Sequence, residues 1–242
     1  MNREESASPT AALESVMIKG VINTQEHQDA ATVDIPNAFA QVHTKHEPGN
    51  EWVTMEIQGV LVNVLVKFDP GLCEGQVVCK NGEKTVCIIA LKAICVMLQS
   101  ALLFYKQFRS DLEAKDCKFN PCNPCVANKK VCGKQHTMTF HVDDLKCSHV
   151  CKKANNCFTK WLDTKCGDDE IGRVKAIRGK HHDCLGMKLD FSTKGKLKVD
   201  MRHCVKDVVE DFPCDFKSTD TVLTPANENL FSVDNSKLLD KT

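Results

Sequence analysis

The chain has 242 residues, of which 42% are hydrophobic and 26% charged; these ordinary proportions indicate a globular protein and exclude wholesale disorder. Because 32 Lys and Arg balance 32 Asp and Glu, the net charge does not indicate a nucleic-acid partner, and any polyanion-binding surface has to be a local patch. No apolar run approaches the roughly 20 residues that span a bilayer, and "MNREESASPTAALESV" lacks the apolar core of a signal peptide, so we expect an intracellular protein with no membrane partner.

The first half of the sequence alternates strand and helix patterns. Residues 1–11 predict a loose lead-in, and "AATVDIPNAF" predicts a strand over 31–34 that Pro36 ends and a short helix follows. The stretch "VLVNVLVKFD" has strong β-propensity and predicts a strand. "QVVCKNGEKTVCIIAL" predicts a hairpin turned at Asn81-Gly82. A helix over 99–114 and a loop, "NPCNPC", follow.

The second half contains two further hairpins. "TMTFHVDDLKCSHV" predicts a strand over 137–142, a tip at Asp143 and Asp144, and a returning strand. An amphipathic helix then ends at Gly167, and "CLGMKLDFSTKGKLKVDM" predicts a hairpin turned at 193–195. "HCVKDVVEDF" predicts a helix that Pro213 stops. Strands and helices mix without strict βαβ alternation, so the predicted class is α+β.

Three carboxylates stand at the ends of predicted strands. Asp34 ends one strand, and Asp143 with Asp144 forms the tip of a hairpin. Adjacent carboxylates repel each other unless water or a cation offsets their charge. If the strands are neighbours, the three carboxylates converge, and their hard oxygens suit Mg²⁺ ions that serve phosphoryl transfer. The alternative is a solvated turn, because Asp favours such positions.

The segments around these carboxylates form an ordered set of motifs: "ATVDIPNAF", "LKAICVMLQSALLFYKQF", "FHVDDL", "HHDCLGMKLDFSTKGKLKVDM" and "TPANENLF". In this order they resemble segments of the reverse transcriptases of copia-type LTR retrotransposons. The matching segments are the first metal-binding Asp, the template-positioning segment, the aromatic-x-Asp-Asp hairpin, the primer-supporting hairpin and the exit from the domain. The resemblance covers residues 12–231, and it indicates a fragment of the retroelement pol polyprotein.

The resemblance implies a polymerase palm-type antiparallel sheet with flanking helices and partial fingers. It implies a disordered lead-in over 1–11, the reverse transcriptase fingers and palm over 12–231, and a truncated tail toward the thumb and connection over 232–242. The basic fingers segment is reduced to "VMIKGV". The implied location is the cytoplasm, in the virus-like particle of the transposable element.

The same resemblance implies an RNA-directed DNA polymerase, a nucleotidyltransferase that uses two magnesium ions or Mn²⁺ in their place. Asp34 and Asp143 would bind both metal ions, Ile35 would lend its backbone carbonyl, and Asp144 would shape the second metal site. The implied partners are an RNA template, a DNA primer, deoxynucleoside triphosphates and other segments of the polyprotein.

Three further residues are implied to contact substrate. Phe39 falls where the family has an aromatic ring that clashes with a ribose 2′-OH, although a core aromatic is the alternative. Gln99 and Ser100 would face the incoming base or the template, although Gln99 has the alternative of being only the first residue of a helix.

The sequence also departs from the family pattern. Val96 stands where relatives have Gly, and a β-branched residue cannot replace Gly where the backbone needs a positive φ. Cys95 stands where relatives have Tyr, and His141 replaces the aromatic of the Asp-Asp hairpin. With 15 Cys and a single Tyr, many cysteines are interpreted as former tyrosines. A catalytically inactive remnant that keeps the palm fold is therefore the alternative function.

A zinc-binding module is the second alternative. "CNPCVANKKVCGKQH" offers Cys122, Cys125, Cys132 and His136, and thiolates with imidazole suit tetrahedral zinc. An odd number of cysteines without a secretory signal argues against a complete disulfide framework, so reduced thiols are expected.

Overall fold

A computed structural model describes residues 7–44, 53–95, 97, 99–170 and 172–211. The chain divides into two compact units, Met1–Met201 and Arg202–Thr242. In the second unit, the described part contains helix α6, Arg202–Glu210. None of the helices described is long and apolar enough to cross a membrane. The predicted boundary at residue 232 lies outside the described residues.

The first unit mixes helices with antiparallel sheets, which confirms the α+β class. Its helices are α1 (Leu13–Gln25), α2 (Val60–Phe68), α3 (Pro70–Cys73), α4 (Ser100–Glu113) and α5 (Lys152–Cys166). Its strands are β1 (Asp29–Asp34), β2 (Thr54–Gln58), β3 (Val78–Lys80), β4 (Glu83–Ile89), β5 (Lys118–Asn120), β6 (Asn123–Val131), β7 (Lys134–His141), β8 (Asp144–His149), β9 (Lys175–Arg178), β10 (His181–Cys184), β11 (Met187–Asp190) and β12 (Lys198–Asp200).

The central element is a six-stranded antiparallel sheet in the order β5-β6-β7-β8-β1-β9. Two three-stranded sheets accompany it, one in the order β10-β11-β12 and one in the order β2-β4-β3. Strand β1 lies between β8 and β9, so both of its neighbours come from much later in the chain. This long-range pairing brings Asp34 next to the β7–β8 hairpin.

Helices α4 and α5 pack against one face of the six-stranded sheet. On β7, the side chains of His136 and Phe140 share that face, because alternate residues of a strand point the same way. The ring of Phe140 lies edge-on to Phe108 of α4, with 5.1 Å between centroids. The Nε2 atom of His136 lies 2.9 Å from Oδ1 of Asn155 on α5. The main hydrophobic core forms on this face.

Helix α1 and the β10–β12 sheet pack against the opposite face. Thr32 of β1 contacts His182 of β10, with 3.3 Å between Oγ1 and Nδ1. Lys146 of β8 is buried there, with Nζ 5.7 Å from the ring centroid of Phe191. With the Asn23 amide oriented so that its oxygen faces Lys146, that oxygen accepts a hydrogen bond from Nζ at 2.8 Å. This face therefore carries a buried lysine two residues after Asp144.

Several predicted elements are confirmed. Asn81 and Gly82 both have positive φ, 54° and 83°, as a type I′ hairpin turn requires. The helix predicted over 99–114 is α4, the hairpin over 137–150 is β7 with β8, and the helix ending at Gly167 is α5. Ala11, the last residue of the lead-in predicted over 1–11, is buried in the core.

The strand predicted from "VLVNVLVKFD" is wrong, because these residues form helix α2. Gly59, at φ 68°, ends β2, and the N–H of Val62 donates to its carbonyl. Strand β2 pairs with β4, and within the described residues no strand lies beside residues 60–68 to complete a ladder. Backbone groups without a ladder partner are satisfied inside a helix, which overrides the β-propensity of Val and Leu.

The segment "NPCNPC" is only in part the predicted loop. It holds the turn between β5 and β6, in which Oδ1 of Asn120 accepts from the N–H of Cys122 at 2.8 Å. Strand β6 begins at Asn123 and buries Cys125 completely. The prediction missed these strands because Pro and Asn are typical turn residues. In the structure, the carbonyl of Pro124 accepts a hydrogen bond from the hydroxyl of Tyr105 at 3.3 Å.

Candidate active site

The three predicted carboxylates lie together at one edge of the six-stranded sheet. Asp34, the last residue of β1, is directly opposite Asp144, the first residue of β8. Opposite residues of an antiparallel pair have their Cα atoms about 4.5–5.5 Å apart. Asp143 precedes Asp144 in the hairpin tip, and all three residues are exposed. Their arrangement follows from the register of β1 against β8.

Asp34 and Asp144 project from the face opposite helices α4 and α5. Side chains alternate along each strand, so both share a face with Thr32 and Lys146. They line a groove of about 320 Å³. Its described walls also contain Lys175 of β9, which is directly opposite Asp34. The groove therefore combines carboxylates with a cation.

The hairpin tip that carries Asp143 has a strained backbone. His141 pairs with Asp144, so Val142 and Asp143 are the two central residues of the turn. Val142 has φ 58°, in the left-handed region that favours glycine. A β-branched residue in this region is an outlier, and such conformations cost roughly 1–3 kcal/mol. Strain of this kind concentrates at functional sites, where surrounding contacts maintain it.

The electrostatics of the tip reflect the crowding of like charges. Although Asp144 is exposed as a residue, partial desolvation of its carboxyl group raises its pKa, the carboxylates of Asp143 and Asp34 raise it further, and His141 acts in the opposite direction. A cation placed between the carboxylates would offset this repulsion and favour the charged form of Asp144.

The carboxylates fit a divalent cation by charge and donor type. Mg²⁺ prefers oxygen ligands, takes few protein carboxylates and completes its shell with water and phosphate. Within the described part of the chain, however, no group of three or more His, Cys, Asp or Glu side chains is positioned to hold a metal ion. The three side chains supply suitable donors without converging on one point as they stand.

Ile35 and Phe39 follow Asp34 and anchor it to the core. Ile35 is buried, and Phe39 is half-buried on a short 3-10 helix, Ala38–Gln41. The ring of Phe39 lies edge-on to Phe104 of α4, with 6.4 Å between centroids. This contact agrees with the alternative interpretation of Phe39 as a core aromatic residue. Its role beneath a nucleotide sugar stays a prediction.

The residues predicted at the start of α4 have different environments. Gln99 is half-exposed at the N-cap position, where its contact with substrate stays a prediction. Ser100 is buried, and its hydroxyl donates to the carbonyl of Ile94. The hydroxyl fixes the start of the helix, and the contact of Ser100 with the incoming base or the template stays a prediction. Val96 lies outside the described residues.

The zinc module predicted over 122–136 does not assemble. Cys122 lies in the turn before β6 and Cys132 in the turn after it. Nine strand residues separate them, a distance of about 30 Å at 3.3 Å per residue. His136 is buried, with its Nε2 already bonded to Asn155. The strand between the cysteines therefore keeps these residues from sharing one zinc ion in this structure.

Sequence reasoning missed three groove residues, Lys175, Asp183 and Cys184. Lys175 belongs to the four-residue strand β9, and this strand was not predicted because it has no alternation of hydrophobic and polar residues. Cys184 lines the same groove as Asp34 and Asp144. Burial raises the pKa of its thiol, Lys146 acts in the opposite direction, and Asp144 raises the pKa further. Asp183 and Cys184 lie in the motif that resembles the primer-supporting hairpin, and the resemblance could have indicated that this hairpin approaches the Asp pair.

Comparison of the chain with models of known protein families gives no match, and comparison with curated protein sequences gives none either.

Proposed function

We propose that the chain is the palm portion of an RNA-directed DNA polymerase, similar to the reverse transcriptases of copia-type LTR retrotransposons. The observation that carries the proposal is the register that sets Asp34 opposite Asp144, with Asp143 in the adjoining turn. Nucleotidyl transfer with two bound metal ions needs carboxylates held near one another, and two carboxylate-bearing strand ends that meet at one sheet edge supply them.

The proposed palm comprises β7, β8, β1 and β9 with helices α4 and α5. In support, the helices cover one face of these strands, and the carboxylates project from the other, beside the groove. An exposed acidic face next to a groove is where a primer terminus and a nucleoside triphosphate would meet. Lys175 would there offset the charge of a triphosphate that approaches Asp34.

The carboxylates have distinct tasks in this proposal. When bound, two Mg²⁺ ions, or Mn²⁺ in their place, would activate the attacking primer oxygen and stabilise the leaving one. Asp34 and Asp143 would hold both ions, with the backbone carbonyl of Ile35, and Asp144 would orient the second. The turn at Val142 would fix the direction of the Asp143 carboxylate, because a strained backbone has few alternative conformations that keep both strands paired.

A catalytically inactive remnant of the same fold is the second candidate, and two observations favour it. The side chains do not converge on a metal position in the described residues, and a Cys at 184 lies in the groove. Val96 and Cys95, which depart from the family pattern, add to this alternative. A remnant would keep the sheet and its acidic edge without turnover.

Primer extension on an RNA template with Mg²⁺ separates these functions. We expect oligo(dT) annealed to poly(rA) to be extended by the parent chain or, if Val96 impairs it, by the Val96→Gly variant. Asp143→Asn should abolish extension, because an amide lacks the charge that fixes the metal. Asp116→Asn is the matched control, since Asp116 is exposed at the far end of the sheet. No extension by either parent would favour the remnant.

A further inference from the structure

A second cavity lies away from the carboxylates, between the six-stranded sheet and α5. It encloses about 370 Å³, within the range of small-molecule sites. Val131 and Met138 form its floor on β6 and β7, and Phe158 and Trp161 form a wall on α5. Met138 points to the same face of β7 as His136 and Phe140, whereas Asp34 and Asp144 project from the opposite face of the sheet. The cavity is therefore separate from the acidic groove and is not used by the proposed function.

The wall of the cavity is aromatic. The rings of Phe158 and Trp161 lie 5.5 Å apart at an interplanar angle of 36°, and His136 meets Phe158 edge-on at 5.4 Å. Burial and the nearby His149 lower the pKa of His136 to about 4, so its ring is neutral at physiological pH. Flat apolar walls of this kind favour a flat apolar ligand, because aromatic rings stack in offset or edge-on arrangements.

The charged residues of the cavity all have the same sign. Lys115, Lys129 and Lys153 line it, and no carboxylate of the described chain does. Lys115 sits over the ring of Trp161, with Nζ 5.3 Å from the centroid. Lys129 forms an ion pair with the exposed Asp116, with 3.6 Å between Nζ and Oδ2. Lys153 is exposed and has no ion pair among the described residues. Three cations around an apolar wall complement an anion.

We propose that this cavity binds a small aromatic anion, a flat ring system bearing a carboxylate or sulfonate. The ring system would lie against Phe158 and Trp161, and the anionic group would face Lys153 at the rim. The inference is independent of the polymerase proposal, because none of these residues belongs to the acidic groove.

Two dyes with the same ring system test the proposal. The probe is 8-anilino-1-naphthalenesulfonate, and N-phenyl-1-naphthylamine is its neutral counterpart. We expect one saturable site for the sulfonate on the folded chain, with energy transfer from tryptophan that Trp161→Phe weakens. Ala154→Leu, which extends into the cavity, should remove saturable binding of both dyes.

The matched pair Lys153→Gln and Lys160→Gln separates the cavity from the general surface charge of α5. Both lysines are exposed, but only Lys153 lines the cavity. We expect Lys153→Gln to weaken sulfonate binding about fivefold and to change binding of the neutral dye by less than about twofold. Lys160→Gln should change neither. Equal weakening by the two variants, or binding that never saturates, would overturn the proposal, even if Ala154→Leu fails to fold.

Discussion

Asp34 and Asp144 lie directly opposite each other on adjacent antiparallel strands, and both side chains point away from the helices. Like charges placed opposite on two strands destabilise the pair by roughly 0.2–1 kcal/mol. Their position is therefore unfavourable for the fold alone, and it becomes favourable only when a cation binds between them. This relationship generates the first prediction.

We expect Asp144→Asn to raise the free energy of unfolding by about 0.5 kcal/mol in the absence of divalent ions. The reason is that the substitution removes one of the three charges that repel at the sheet edge. Urea unfolding at low and high salt tests this prediction, because salt screens the repulsion and should reduce the gain in free energy of unfolding. The double variant Asp34→Asn, Asp144→Asn should gain less free energy of unfolding than the sum of the two single variants, because either substitution alone removes the repulsion between the pair. Strictly additive gains would show that the two carboxylates do not repel each other.

The strain at Val142 predicts that glycine is preferred there. We expect Val142→Gly to raise the free energy of unfolding by about 1 kcal/mol, because glycine adopts a positive φ without steric cost. Val126→Gly is the matched control on the neighbouring strand β6, where loss of a buried side chain should destabilise the fold by about 1–2 kcal/mol. Destabilisation by both substitutions, measured by thermal unfolding, would contradict the strain at the turn.

The buried His136 predicts loss of stability in acid. Its pKa is lowered to about 4 in the fold, below the ordinary value of 6.5, by burial first and His149 second. Between these values the unfolded chain binds one more proton than the folded chain, so this stability is complete above pH 6.5 and falls as the pH approaches 4. The loss should be about 3 kcal/mol.

Urea unfolding from pH 7 to pH 4 measures this loss. His182, whose pKa is also lowered by burial, adds to the loss with the same sign. In His136→Gln, which can still reach Asn155, the pH dependence should be shallower. An unchanged slope in that variant would show that His136 does not contribute.

Much of the fold was predictable where the signal is local. The hairpin around Asp143 follows from alternation on both sides of the Asp pair, although its turn is Val142-Asp143 rather than the predicted Asp143-Asp144, and Asp144 already belongs to β8. The Asn81-Gly82 turn follows from residues that accept a positive φ. The pairing of β1 with β9 was not predictable, because four residues around Lys175 carry no periodic pattern. Helix α2 was missed because strand propensity says nothing about whether a neighbouring strand exists.

The candidate site was predictable in part for the same reason. The carboxylates are marked by their positions at strand ends, and the register that joins them depends on one long-range pairing. The use of Ser100 inside the protein was not predictable, because its partner, the carbonyl of Ile94, is a backbone atom that no sequence pattern marks. The strain at Val142 could not be predicted, because it is visible only in the φ angle of the folded backbone.

Phe39 gives a prediction about substrate choice. We expect Phe39→Ala to raise the ratio of ribonucleotide to deoxyribonucleotide incorporation, because the substitution removes a clash with the 2′-OH. It should also lower stability by about 2 kcal/mol, since the ring packs on Phe104. Phe119→Ala, a half-buried ring that packs on Phe140, is the control that should lower both activities equally. Equal loss of both activities in Phe39→Ala would assign Phe39 to the core.

Metal-directed cleavage tests most directly the claim that Asp34, Asp143 and Asp144 form one divalent-cation site, because it requires no turnover. Fe²⁺ bound in place of Mg²⁺ generates hydroxyl radicals with ascorbate and peroxide, and these radicals cut the backbone nearby. We predict cuts beside residue 34 and beside residues 143–144, both suppressed by excess Mg²⁺ and by Asp143→Asn. Cleavage elsewhere, or cleavage at these positions that Asp143→Asn leaves unchanged, would contradict the account.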